Sequence, residues 1–274
     1  MKTFKEKFYN FAVSDFDGTL FRTDACVSDF TLKAIKRFVK NSGVFCICTG
    51  RMTNSIMQYC KQYQLDGYVI SYNGAEIVEI KTGNVVYKNH VDTEACIKIL
   101  QYAEHNDLTV QVYPNNFIMV KHANDMVKSY SHIVKAPIKE CNCNVSEIFE
   151  EQKLTSAKVL CYTNDQTADK TIFDLKQILG DNYNVIRSNT FHIDITKKGV
   201  SKGESILKLA RTLNKEQEKT ICFGDERNDV SMLKVAGLGV ACANANQDLK
   251  DIADIITDSC DDDGVAKALI KYGV

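Results

Sequence analysis

Short apolar runs that stop at polar clusters organise both ends of this chain. Phe11–Ser14, Val44–Cys48 and Tyr68–Ser71 are near-continuous apolar runs of strand length, and the stretches 29–40 and 53–62 between them carry helical spacing. Ser28 predicts the N-cap of the first helix, with Phe30, Ile35, Phe38 and Val39 as its apolar side and residues 41–43 as its stop. Strands apolar on both faces, alternating with helices, predict a parallel sheet covered on both sides. The same grammar returns late in the chain: helix 201–213, strand 220–223, helix 229–235, strand 238–240 and a helix near 246–253.

The middle reads differently. Between about Val85 and Ile195 the apolar runs "TVQVYP", "NFIMVKH", "AKVLCYT", "YNVIRS" and "FHIDIT" partly alternate, with helical stretches at 93–105, 124–135 and 168–179. A helix–strand–strand order occurring twice predicts an antiparallel sheet with helices on one face. The predicted fold class is therefore α/β, a Rossmann-like parallel core holding an inserted α/β domain. The predicted boundaries are 1–84 for the first part of the core, 85–191 for the insert and 192–274 for the rest of the core.

Composition narrows the function classes. The chain is 274 residues long, 45% hydrophobic and 25% charged, with a net charge of −1. That balance offers no basic field for nucleic acid or anionic membrane. The opening "MKTFKEKFYNFAV" is too mixed for a signal-peptide core and no run reaches membrane-spanning length, so a cytosolic location is expected. The 11 cysteines are odd in number and several sit inside apolar runs, which reads as buried reduced thiols. Cys46/Cys48 and Cys141/Cys143 are C-x-C rather than zinc-type pairs, with Cys46 and Cys48 expected on opposite faces of their strand. The five histidines show no metal spacing.

Four polar groups fall just past the ends of core strands or at a helix start: "DFDGT" (15–19), "TGR" (49–51), "SKG" (201–203) and "GDERND" (224–229). Each has a bland reading, as an Asx-turn, as loop punctuation, as a solvated lysine or as a helix cap. In an open parallel sheet, however, ligands bind outside the carboxyl ends of the strands, so all four would meet in one crevice. Asp15, Asp17, Asp225 and Asp229 would bring up to four negative charges against Lys202, with Arg51 a second positive charge. Such a cluster needs a counter-ion, and a hard dication with oxygen ligands, Mg2+ above all, answers that need and would accept a phosphate with Lys202. With a phosphoryl group there, Asp15 is placed to act as a carboxylate nucleophile and Asp17 as general acid and base. Thr49, Lys202 and the backbone N–H groups near Gly18 and Gly50 would hold the transferring oxygens.

These four groups in this order, with the continuation "GDERNDVSML", the "SYNGA" stretch and "FHIDITKKGVSKG", resemble the haloacid dehalogenase superfamily, and its Cof-type phosphatases in particular. The resemblance implies a Rossmann-like core with a class IIB cap acting as lid, magnesium dependence, and hydrolysis of small phosphate esters such as sugar phosphates. It implies Asp15 as nucleophile, Asp17 as acid/base, Thr49 at the phosphate and Lys202 as the motif lysine. Metal binding would fall on the Asp15 carboxylate, the Asp17 carbonyl and Asp225. Asn228 and Asp229 would orient phosphate, lysine or the metal's water.

Asn73 is open between substrate contact and a turn role, and Arg51 between phosphate and a neighbouring side chain. Two other functions fit the same residues. One is a phosphosugar mutase, which would isomerise a sugar phosphate without releasing phosphate; the other is a phosphometabolite-binding protein without turnover.

Overall fold

The structure is a computed structural model and describes residues 8–188 and 190–274. Residues 1–7 of the opening stretch lie outside the described residues. The chain divides into two compact units, one made of 1–87 with 201–274, the other of 88–200.

The first unit opens with β1 (Phe11–Ser14), α1 (Asp29–Lys40), β2 (Val44–Cys48), α2 (Thr53–Gln62) and β3 (Tyr68–Ser71). β4 (Glu76–Glu79) and β5 (Val85–Lys88) follow. The second unit holds α3 (Thr93–His105), β6 (Val110–Val112), β7 (Ile118–Val120), α4 (Asp125–Val134), β8 (Ile138–Glu140) and α5 (Val145–Gln152). It ends with β9 (Val159–Tyr162), α6 (Ala168–Leu179), β10 (Tyr183–Arg187) and β11 (His192–Lys197). The first unit then resumes with α7 (Lys202–Thr212), β12 (Thr220–Gly224), α8 (Val230–Val235) and β13 (Leu238–Ala241). α9 (Gln247–Ile252), β14 (Ile255–Ile256) and α10 (Gly264–Tyr272) complete it.

The core sheet runs β14-β13-β12-β1-β2-β3-β4-β5, parallel from β14 to β3 and antiparallel between β3 and β4. β1 lies between β2 and β12, the next strand in sequence on one side and one from the far end of the chain on the other. That is the switch point where an open α/β sheet leaves a crevice at its strand ends. Alternation along β1 splits the packing: Ala12 faces Ile35, Phe38, Ile56 and Leu269, while Phe11 and Val13 face Ile206, Leu209, Met232 and Leu249.

Three details differ from the sequence reading here. Phe30 is 46% exposed, and Thr31, Ala34, Ile35 and Phe38 form the buried stripe of α1, because the i, i+3, i+4, i+7 face passes one position beyond Phe30. Cys46 and Cys48 share one face, as residues two apart in a strand must, and pack together with Cys222. All 11 cysteines are free, but Cys143 is exposed and Cys141 half-buried, so the buried-thiol reading does not extend to that pair.

The second unit is a six-stranded sheet in the order β10-β11-β9-β6-β7-β8. Its pairs are antiparallel except β7 with β8, which run parallel because α4 crosses between them. α3, α5 and α6 cover one face around Ile99, Phe149, Leu175, Ile193 and Ile195. α4 meets the other face, where Tyr130 lies edge-on to His192 and accepts a hydrogen bond from Lys158. The sequence-based boundary at 191/192 falls just before β11, which is hydrogen-bonded to β9 and β10 along most of its length, and the core unit resumes at Ser201.

Candidate active site

The apolar run of β1 ends at Asp15, whose backbone N–H still bonds to Phe223 of β12 at 2.9 Å. The chain then turns sharply: Gly18 sits at φ +73, and Leu20 and Phe21 both donate back to the Phe16 carbonyl. The turn places Asp15 next to the starts of two later elements. Lys202 is the first residue of α7, capped by the Ser201 side chain, and its own side chain is 0% exposed.

The Lys202 ammonium donates to Asp15 Oδ1 at 2.6 Å and to Asp229 Oδ1 at 2.7 Å. The other Asp229 oxygen accepts the backbone N–H groups of Asp225 and Glu226 at 3.0 and 3.1 Å, so Asp229 fixes the loop after β12 as well as the lysine. Asp225 accepts the Thr19 hydroxyl at 2.6 Å. Carboxylate oxygens of Asp15, Asp225 and Asp229 lie within 4.8 Å of one another, and all three residues are buried.

The electrostatics show what this crowding costs. Burial pushes the Asp15 carboxyl up to about 7, Asp229 and Asp225 adding to the rise and Lys202 opposing it. Burial also pushes Asp225 up to about 6, against the Thr19 hydrogen bond. Burial alone would depress the Lys202 ammonium, but Asp15 and Asp229 together outweigh it and hold it above the usual lysine range. Three carboxylates around one ammonium are an all-oxygen, anionic donor set, which suits a hard divalent cation.

The remaining candidates gather at the neighbouring strand ends. Thr49 follows β2, and its hydroxyl accepts the Arg51 N–H at 3.1 Å. Asn73 stands in the left-handed region at φ 56, donates its N–H to the Thr49 carbonyl and accepts from the Asn228 side chain at 3.2 Å. A Cβ on Gly50 would lie 3.1 Å from Asn73 Oδ1, so Gly50, Asn73 and Asn228 form one wall. The structure thus brings Asp15, Lys202, Asp225 and Asp229 into one cluster, and Thr49, Gly50, Asn73 and Asn228 into another.

Asp17 stands apart from the buried carboxylates. Its side chain is 53% exposed and both its oxygens are taken by Arg51, Nε at 2.8 Å and a terminal nitrogen at 2.5 Å. Two further contributors carry no role in the sequence reading, although one lies inside a quoted motif. Thr19 anchors Asp225, and Asn244 donates to the Gly18 carbonyl at 2.8 Å. The T in "DFDGT" was a usable signal for the first; nothing local marks Asn244.

Gly18 gives a direct test of this packing. A Cβ there would lie 2.4 Å from Asp225 Oδ2, on a backbone that L side chains rarely adopt. Gly18→Ala is expected to displace Asp225 and lower activity about 100-fold or more, as misplacement of about an ångström does, with a loss of stability. Wild-type activity and thermal stability in this variant would show that Asp225 is not needed where it stands.

Comparisons with known proteins place the chain in a family. The model of the haloacid dehalogenase-like hydrolase family matches residues 12–269. The chain is 26% identical over 264 residues to the 5-amino-6-(5-phospho-D-ribitylamino)uracil phosphatase YitU of Bacillus subtilis, covering 94% of this chain and 95% of that one. It is also 26% identical over 281 residues to the chloroplastic endoribonuclease YBEY of Arabidopsis thaliana, covering 99% of this chain but spanning only 48% of that protein's length. A solved haloacid dehalogenase-like hydrolase from Bacteroides thetaiotaomicron superposes with a TM-score of 0.85 at 28% identity, over 96% of this chain and 99% of that one. With the buried lysine and its carboxylates at the switch point of such a sheet, the chain belongs to the haloacid dehalogenase-like hydrolases and is a phosphoric monoester hydrolase.

Proposed function

We propose that the protein is a magnesium-dependent phosphatase of small phosphorylated metabolites, sugar phosphates foremost, working through an aspartyl-phosphate on Asp15. The observation that carries this reading is Lys202, sealed from solvent between Asp15 and Asp229 with Asp225 beside them. A lysine buried merely for packing would not be given three carboxylates; a lysine that meets a phosphoryl group next to a cation would be. The phosphorylated ribityl group in the name of the Bacillus relative supports a polyol phosphate as substrate.

The Asp15 and Asp225 carboxylates and the Asp17 backbone carbonyl would hold the magnesium; Asp229 has both oxygens committed to Lys202 and to backbone N–H groups and supports them from behind. When bound, the ion supplies positive charge that offsets the carboxylates and polarises the phosphoryl group. Lys202 orients Asp15 for attack. The Asp15 oxygen–phosphorus bond forms as the bond to the leaving oxygen breaks, and Asp17 gives that oxygen a proton. Water then attacks phosphorus, Asp17 takes its proton, and Asp15 is regenerated as inorganic phosphate leaves. The Thr49 hydroxyl, the Gly50 N–H and the Asn228 amide hold phosphoryl oxygens, with Asn73 fixing Asn228. The leaving-group partner is a small phosphate ester, and the eleven free thiols fit work in the cytosol.

A phosphate-release screen over sugar phosphates and other phosphorylated metabolites, with and without magnesium, tests this reading. Release with magnesium alone is expected. Isomerised sugar phosphate without release would make the protein a mutase, and silence across the panel would make it a binding protein.

The metal-free protein carries a second prediction. Asp15 and Asp225 have folded values near 7 and 6, above their unfolded ones, so the native state binds more protons than the unfolded state. Stability must then fall as pH rises through the window from about 4 to 7. In EDTA the Tm is expected to drop by at least about 5 °C between about pH 5 and pH 7.5. Magnesium should restore more of it at the higher pH. His192, held below the usual histidine range by burial, opposes this trend inside the window, and Asp92 and Asp194, both held below the usual carboxylate range, oppose it below the window. A Tm in EDTA that rises over the same interval would contradict the crowding described above.

A further inference from the structure

Arg51 is built into a recess made of three rings. Its guanidinium lies 5.1 Å over the Phe16 ring, 5.0 Å over Tyr59 and 5.7 Å over Phe21. Phe16 and Phe21 stack on each other at 4.8 Å, and Tyr59 meets each of them at 5.1 Å. The backbone is fixed at both ends as well: the Arg51 N–H donates to Thr49 Oγ1 at 3.1 Å, and its carbonyl accepts the Tyr72 N–H at 3.0 Å. The result is a sheltered cation, 17% exposed, presenting its fork to an Asp17 carboxylate that is 53% exposed.

Two consequences follow from that asymmetry. The rigid member of the pair is Arg51, since rings and backbone hold it while Asp17 is open on its solvent side. Two of the three guanidinium nitrogens already donate to Asp17 and the third is buried, so no nitrogen of the fork is left for a phosphoryl oxygen. We infer that Arg51 is a positioning residue that aims the Asp17 carboxylate for proton transfer, and is not a ligand of the phosphoryl group. This inference rests on the aspartyl-phosphate reading above.

The chemistry gives the inference its own signature. In the first step the proton passes from Asp17 to the leaving oxygen as the Asp15 oxygen–phosphorus bond forms. A sugar alkoxide needs that proton, whereas p-nitrophenolate leaves without it. Because kcat/KM reports only steps up to departure of the leaving group, the two substrates separate proton delivery from everything else. In the second step Asp17 accepts a proton from water, whatever the first leaving group was.

The test uses Arg51→Gln and Arg51→Lys in the full chain, with ribose 5-phosphate and p-nitrophenyl phosphate as probes. A lysine cannot present the two-pronged fork, so both variants should behave alike. For the sugar phosphate, kcat/KM is expected to fall about 10–100-fold, a part of what general acid catalysis supplies, and for the aryl ester about threefold. A burst of p-nitrophenol should appear as the second step becomes limiting, while inhibition by inorganic phosphate keeps its wild-type strength. Tyr59→Leu opens one wall of the recess and should show the same selectivity at smaller amplitude, which guards against a variant that simply misfolds. Equal losses on both substrates with weakened inhibition by phosphate would overturn the inference and make Arg51 a phosphate ligand. No selective loss in any of the three variants would overturn it as well. Failure of the underlying function looks different, since wild type would then turn over neither probe.

Discussion

Asp15→Asn is expected to abolish turnover of every phosphate ester, by at least about 10⁴-fold in kcat, the scale on which loss of a nucleophile is felt. The protein should nevertheless remain folded. Asparagine keeps an oxygen for Lys202, which also retains Asp229 at 2.7 Å. Burial already pushes the Asp15 carboxyl up to about 7, so its charge is costly to the metal-free fold at neutral pH. A neutral amide should therefore leave the Tm in EDTA at about pH 7.5 unchanged or raise it by a few degrees. Loss of activity together with unchanged or increased stability is the mark of a group placed for chemistry. A large drop in Tm would instead make Asp15 a structural residue.

Lys202→Met should fail in both respects. The side chain is 0% exposed, and its removal leaves Asp15 and Asp229 facing one another with Asp225 close by and no ammonium among them. Breaking a buried ion pair by removing one partner costs about 3–5 kcal/mol. For a chain of this size that corresponds to a Tm lower by about 6–20 °C. Turnover should fall about 10³-fold in addition, as when one preorganised charge at a phosphoryl group is lost. The contrast between the two variants is the informative part, because neighbours 2.6 Å apart would both lower the rate by orders of magnitude while only the lysine's loss lowers stability. Equal stability in both, measured by thermal melts in EDTA, would mean that the lysine does not offset the carboxylates.

Much of the core was legible because its signals are local. β1, β2 and β3 are apolar runs that end abruptly in polar residues, and Ser28 caps α1 as its position in the sequence suggests. The convergence of Asp15, Lys202, Asp225 and Asp229 could be read from strand order alone, since each follows a strand end or opens a helix of one sheet. Side-chain direction was not legible. Four acidic residues were expected at one point, yet three meet there and Asp17 turns to Arg51, a choice made by rings from Phe16, Phe21 and Tyr59 together.

The second unit was harder for the same reason. β8 is three residues with no fully buried side chain and offers no pattern to read. α4 crosses to the opposite face of its sheet through Tyr130, whose contacts are with Lys158, just before β9, and His192 of β11, both distant in sequence.

The central claim is that phosphate passes through the Asp15 carboxylate, and it can be tested by acid-quenching the enzyme during turnover and mapping the phosphorylated peptide. Phosphate is expected on the peptide that holds Asp15 when magnesium and substrate are both present. It should be absent in EDTA and in Asp15→Asn. Full turnover with no phosphoryl group on that peptide at any quench time, or with the group on another residue, would contradict the account.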